Sequence, residues 1–118
     1  MGAPTRYGRG EIVIAPIPYA LSTSGLAGKL RPALVIAILS RSDLLVCQIT
    51  SQPAEEASDV GLLDDDFISG GLRQKSTIRA SRIFVIRGDS VAMVAGKLSS
   101  SKFDMVIAQV VRVIEGSI

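Results

Sequence analysis

Two short segments of this 118-residue chain carry side chains that could do chemistry at one place. In the first, Lys29-Leu30-Arg31-Pro32-Ala33-Leu34-Val35-Ile36, a guanidinium stands just before an apolar run, and Pro32 restricts the backbone beside it. A rigid strand behind a charged lip lets Arg31 reach over a groove. In the second, Val46-Cys47-Gln48-Ile49-Thr50-Ser51-Gln52, an apolar strand ends in three hydrogen-bonding side chains. Each residue also has a plainer use, Arg31 in a surface ion pair and Thr50 and Ser51 as hydroxyls that cap a loop. The chain contains no histidine. Ser-His-Asp and Cys-His nucleophiles and imidazole acid–base pairs are therefore excluded. Any proton transfer or charge stabilisation must come from Arg, Lys, Thr, Ser, Tyr or carboxylates.

Other residue clusters carry less. The single Cys47 excludes an internal disulfide, and without histidine it excludes an ordinary zinc site. It reads as a buried structural thiol inside an apolar strand. Asp64-Asp65-Asp66 could hold a hard cation, but consecutive carboxylates diverge on a strand or a helix, so a solvated acidic turn is the reading. Gly25-Leu26-Ala27-Gly28-Lys29 resembles a phosphate-binding loop only superficially, because Thr23 and Leu30 stand where that pattern needs Gly and Ser or Thr. No metal or cofactor is expected. Charge is segregated: Ser51–Asp66 holds Glu55, Glu56, Asp59 and the three aspartates with no base. Phe67–Lys102 holds Arg73, Lys75, Arg79, Arg82, Arg87, Lys97 and Lys102 against Asp89 alone. A basic stretch on a chain of net charge +2 points to a polyanion partner, with a solvated surface as the plainer alternative.

The elements that must position these groups are mostly strands. An apolar fraction of 47% excludes disorder, and the length fits one domain over residues 1–118, with 1–9 as a flexible N-terminal tail. No apolar run approaches the ~20 residues that span a bilayer, and Arg6, Arg9 and Glu11 break up any secretory signal, so a cytoplasmic protein is expected. Gly10–Pro18 reads as a strand that lies at an edge or ends at its prolines. Ser22–Lys29 reads as a mobile loop, Pro32–Leu39 as a strand buried on both faces, and Leu44–Thr50 as its hairpin partner. Ser51–Gly61 reads as a loop, Ser76–Arg87 as a long strand, and Val91–Ala95 as a strand after a Gly88-Asp89 turn. Phe103, Val106, Ile107, Val110, Val111 and Ile114 then recur at helical spacing. Ser99 caps that helix, Leu98 and Phe103 staple it, and Gly116 ends it. The fold class is mainly β: a small barrel of five to six strands carrying one C-terminal amphipathic helix.

Taken in order, several segments resemble the MazF/PemK (Kid) family of toxin endoribonucleases. They are Gly10-Glu11-Ile12-Val13, Arg31-Pro32-Ala33-Leu34-Val35, and Val46 to Gln52. Gly71-Leu72-Arg73-Gln74-Lys75-Ser76-Thr77-Ile78-Arg79 and Gly96-Lys97-Leu98-Ser99 complete the set. The resemblance implies an SH3-like barrel and a homodimeric, metal-independent toxin that cuts single-stranded mRNA at short sequences and is held by a cognate antitoxin protein. It places catalytic roles on Arg31 and Thr50, and RNA contacts on Glu11, Lys29, Ser51, Gln52, Arg79, Ser81 and Arg82. One departure stands out. PemK-type members follow the arginine matching Arg79 with an Asp two residues on, proposed as general base, where this chain has Ser81. Either Glu11 or another group takes that role, or catalysis rests on Arg31 and Thr50. Two other classes compete: a CcdB-like gyrase-inhibiting toxin on the same barrel, and a non-catalytic SH3-like RNA- or protein-binding module. The terminal Glu115-Gly116-Ser117-Ile118 speaks against the first, and an aromatic content of 4% against the second.

Overall fold

Seven strands and one helix make up the computed structural model, which describes residues 6–17 and 29–117. The strands are β1 (Glu11–Pro16), β2 (Leu30–Ile38), β3 (Asp43–Thr50), β4 (Asp59–Leu62), β5 (Phe67–Gly70), β6 (Ser76–Arg87) and β7 (Met93–Leu98), and the helix is α1 (Ser100–Glu115). They form one curled antiparallel sheet, a half-barrel, in the order β4-β6-β3-β2-β1-β7-β5. Among the described residues no helix is long and apolar enough to cross a membrane.

Alternation along the central strands sorts side chains onto two faces. Ile12, Leu34, Ile36, Cys47, Ile49 and Ile78 join Phe103, Val106 and Val110 of α1 in one core. Val13, Ala15, Ala33, Val35, Leu44 and Val46 form a second core on the other face. β2 is thus buried on both faces, as its unbroken apolar run requires. β1 is an interior strand between β2 and β7 and ends at Pro16, which has no N–H to extend the ladder. Of the expected tail, Tyr7 packs against the second core. Arg9 donates to the Ile36 carbonyl at 3.2 Å and lies 5.1 Å from the Phe103 ring centre. Most of the expected Ser22–Lys29 loop lies outside the described residues.

The helix is held at both ends by the predicted devices. The Ser99 hydroxyl accepts from the Lys102 N–H at 3.2 Å, and Gly116, at φ 74°, turns its N–H and that of Ser117 back to the last carbonyls. Its apolar stripe lies against β6 and β4. Three strand expectations need correction. The Ser51–Gly61 loop ends early because its last residues open β4; the strand expected at Val91–Ala95 begins at Met93 and runs to Leu98; and β5 was not foreseen. β4 and β5 are four residues each and carry a glycine, so neither shows an alternation long enough to read.

β6 is the element that shapes the curl. Gln48 pairs with Arg79 and Cys47 with Ile83, so Ala80, Ser81 and Arg82 have no counterpart on β3. This bulge bends a 12-residue strand, letting its first part pair with β4 and its second with the start of β3.

The β5 edge depends on bare backbone. Gly70 adopts φ 65°, and a methyl group there would meet the Ala95 carbonyl oxygen at 2.1 Å. Gly61 in β4 has open space around it. Gly70→Ala is expected to destabilise the fold by about 1–3 kcal/mol, and Gly61→Ala to leave it unchanged or stabilise it by less than about 1 kcal/mol. Thermal unfolding of the two variants beside the parent measures both.

Candidate functional site

Pro32 determines where the β2–β3 ladder stops. The last pair is Ala33 with Gln48, and the next β2 residue has no N–H to donate. Continuing the register by two residues sets Arg31 opposite Thr50, just past the end of the ladder. Thr50 in turn pairs with Thr77 of β6, and Arg31 with Ala15 of β1. Arg31, Thr50 and Thr77 thus follow one another across three strands on one face. The next row inward holds Ala33, Gln48, Arg79 and Asp59. Arg31 and Thr50 also line a groove of about 310 Å³ at the strand ends, together with Ser51, Gln52, Arg73 and Gln74. A second groove of about 300 Å³ shares Arg73 and Gln74 and continues past Lys75.

Thr50 is a cap as well as a candidate. Its hydroxyl oxygen accepts the Gln52 N–H at 3.1 Å, which fixes the oxygen and leaves the hydroxyl proton to be donated. The plainer reading of Thr50 therefore holds, and it orients the group rather than removing it from chemistry. Arg31 is half-buried, so its stem is held while it lines the groove. Ser51 and Gln52 are exposed at the same lip, and Lys29 is exposed one residue before β2. Every side chain named in the first groove is neutral or basic.

The later basic residues form a separate cluster. Arg79 Nη2 donates to Glu56 Oε1 at 2.8 Å, and Ser81 Oγ donates to the same oxygen at 3.0 Å. Arg79 Nε lies 3.7 Å from Asp59 Oδ1. The Arg79 and Ser81 hydrogen bonds hold the Glu56 carboxyl below the usual carboxylate range, with Arg82 adding a nearby positive charge. Hydrogen bonding to Glu56, with Asp59 close by, raises Arg79 correspondingly. Glu11 is not brought to either group. It sits at the far end of β1, opposite Lys97, and its carboxylate accepts the Gly8 N–H. Glu56 was given no site role from the sequence; its place depends on pairing between distant strands, which no local pattern encodes. Gln48, Arg73, Gln74 and Thr77 stood in quoted motifs, but nothing local marked them as neighbours of Arg31 and Thr50.

The remaining clusters are structural. Asp66 accepts the Leu63 N–H at 2.8 Å and pairs with Lys102 at 3.1 Å, so the triple aspartate is a capped turn tied to α1. Cys47 is fully buried, and burial pushes its thiol up to about 12.

A family model described as PemK-like, MazF-like toxin of type II toxin–antitoxin system matches residues 8–114. Sequence comparison with curated proteins gives no match. The fold is similar to that of an endoribonuclease from a mycobacterial species at 13% identity, with a TM-score of 0.69 over 98% of this chain and 94% of that one. It is also similar to the Mycobacterium tuberculosis toxin MazF-mt6, at 20% identity and TM-score 0.65 over 89% and 96% of the two chains. A MazE–MazF structure from Deinococcus radiodurans aligns at 16% identity and TM-score 0.63, over 94% of each chain.

Thr50→Val keeps the branched shape but removes both the cap and the donor, whereas Thr50→Ser keeps both. The expected outcome is a loss of about 0.5–1.5 kcal/mol of stability for Val and little for Ser. If the groove cleaves a phosphodiester, Val also loses nearly all activity and Ser retains much of it. Unfolding and turnover of the pair, measured together, separate packing from chemistry.

Proposed function

The chain belongs to the PemK-like, MazF-like family of toxins of type II toxin–antitoxin systems, and from that premise we propose that it is an endoribonuclease acting on single-stranded RNA. The observation that carries this reading is the register that sets Arg31 opposite Thr50 at the lip of a groove free of carboxylates. Such a groove suits a phosphate, and single strands suit a trough that continues along Arg73, Gln74 and Lys75.

In the proposed reaction the ribose 2′-OH attacks the adjacent phosphorus and the bond to the 5′ oxygen breaks. The products are a 2′,3′-cyclic phosphate and a 5′-hydroxyl. Arg31 clamps the non-bridging oxygens through charge-assisted hydrogen bonds and stabilises the extra negative charge that develops on them. Thr50 donates its remaining proton to the phosphate or accepts from the 2′-OH, with Ser51 beside it. Lys29 and Gln52 hold the strand at the lip, and base-edge contacts from Gln52 and Gln74 give the cut its sequence preference. Arginine and hydroxyls position and neutralise well but are poor bases near neutrality, so turnover is slow. The assembly proposed is a homodimer, and the partner an antitoxin protein that covers the groove. Glu11 acts at its own end of β1 rather than at the reacting phosphate.

Incubating the protein with mixed-sequence single-stranded RNA in excess EDTA tests this directly. Discrete cleavage with cyclic-phosphate ends is expected, and Arg31→Ala is expected to slow it ~10²–10³-fold with the thermal transition preserved. Chelator-sensitive cleavage, or Arg31→Ala within a few-fold of the parent, overturns the assignment.

A further inference from the structure

Arg79 stands one row inward from Thr50, about 7 Å along β6 from Thr77. That is roughly the reach of one nucleotide from the groove. The two carboxylates at Arg79 are unlike each other. The Asp59 side chain is 1% exposed; it accepts the N–H groups of Glu55 at 2.9 Å and Glu56 at 3.1 Å and lies beside Arg79 Nε. It is a fixed part of the β4 end. The Glu56 side chain is 45% exposed and reaches in from outside, where one of its oxygens takes hydrogen bonds from both Arg79 and Ser81. One anionic oxygen held by a guanidinium and a hydroxyl is the contact a phosphate oxygen would make. Since Asp59 already pairs with Arg79, Glu56 occupies the place of a second anion, and none can enter while it stays.

Building on the ribonuclease reading above, we infer that Arg79 and Ser81 form a phosphate subsite beside the reacting groove and that the Glu56 carboxylate fills it as an internal anion, which the incoming RNA displaces. The Glu56 end of the pair lies in water, which screens it and makes the exchange easy. The Asp59 hydrogen bonds hold the backbone of Glu55 and Glu56 in place while the Glu56 side chain swings away. Arg82, close enough for its charge to act on Glu56, adds attraction for the polyanion. The subsite therefore discriminates against ligands too weakly charged to expel Glu56.

The test uses the full chain and a mixed-sequence single-stranded RNA carrying 2′-O-methyl groups throughout, which binds but cannot be cut. Binding is measured by fluorescence anisotropy at several salt concentrations. Glu56→Gln is expected to bind about three- to fivefold tighter than the parent. Its log K against log salt is expected to keep the parent's slope, because RNA bound to the parent also reaches the subsite once Glu56 has left. The gain should vanish in an Arg79→Ala background. Glu55→Gln, the same charge change at a residue Arg79 feels only at longer range, should gain less than twofold. If Glu56→Gln binds no tighter than the parent or than Glu55→Gln, or if the gain survives without Arg79, the subsite is overturned while the ribonuclease reading stands. A parent protein that binds no RNA overturns both.

Discussion

The register between β2 and β3 is held by burial on both faces of the sheet at once. Ala33 and Val35 fill one core while Leu34 and Ile36 fill the other, all at 5% exposure or less. A slip of one residue would exchange the two sets, and a slip of two would pull Leu34 away from Cys47 and Val35 from Val46. Neither is accessible without voids in both cores. The polar residues at the end of the strands have no part in that choice, yet their relation is fixed by it. Arg31 faces Thr50 because the hydrophobic residues behind them allow no other pairing, and Pro32 ensures that the ladder stops before reaching them. Positioning of this kind costs the site nothing in flexible side-chain contacts, since it is inherited from the sheet.

The segregation of charge along the chain has a second meaning once the sheet is folded. The acidic block and the basic block are consecutive in sequence, and β4 brings the first beside β6 in the second. Glu56 and Asp59 meet Arg79 there, and Asp66 meets Lys102. Part of the basic surface is therefore answered from within, while Arg73 and Lys75 stay exposed along the second groove, which Asp64 also lines. The face offered to a polyanion is narrower than the sequence tally implies, and it is bounded by the chain's own carboxylates. Beside Ser81 on β6, the Glu56 carboxylate from the loop between β3 and β4 occupies the neighbouring space. The negative charge near Arg79 thus arrives from a different segment.

Local chemistry made much of this legible. The cap at Ser99, the stop at Gly116 and the stripe from Phe103 to Val110 depend on contacts within a few residues, so the sequence announces them. The unbroken apolar run through β2 announces burial on both faces for the same reason. Arg31 and Thr50 could be picked out by type and by their places at strand ends, and the family resemblance sharpened the choice. What spacing could not supply was adjacency. The contact of Glu56 with Arg79 spans 23 residues and depends on the pairing of β4 with β6, which nothing in the residues themselves signals. β4 and β5 are stabilised by the strands they join rather than by their own pattern, so four residues with a glycine read as loop. Glu11 illustrates the reverse case: a carboxylate that the fold holds at the opposite end of β1 from Arg31.

Cys47 lies at the middle of β3, paired with Leu34 on one side and Ile83 on the other, next to the step in register that bends β6. With its thiol pushed up to about 12 by burial, Cys47 stays protonated at neutral pH. Burial removes reagents as well as protons, so oxidation or alkylation requires the core between the sheet and α1 to open. The only sulfhydryl in the chain is therefore a built-in clock for core opening. Its labelling rate reports how often the helix lifts from the sheet that sets Arg31 against Thr50, and anything that clamps the helix down slows it.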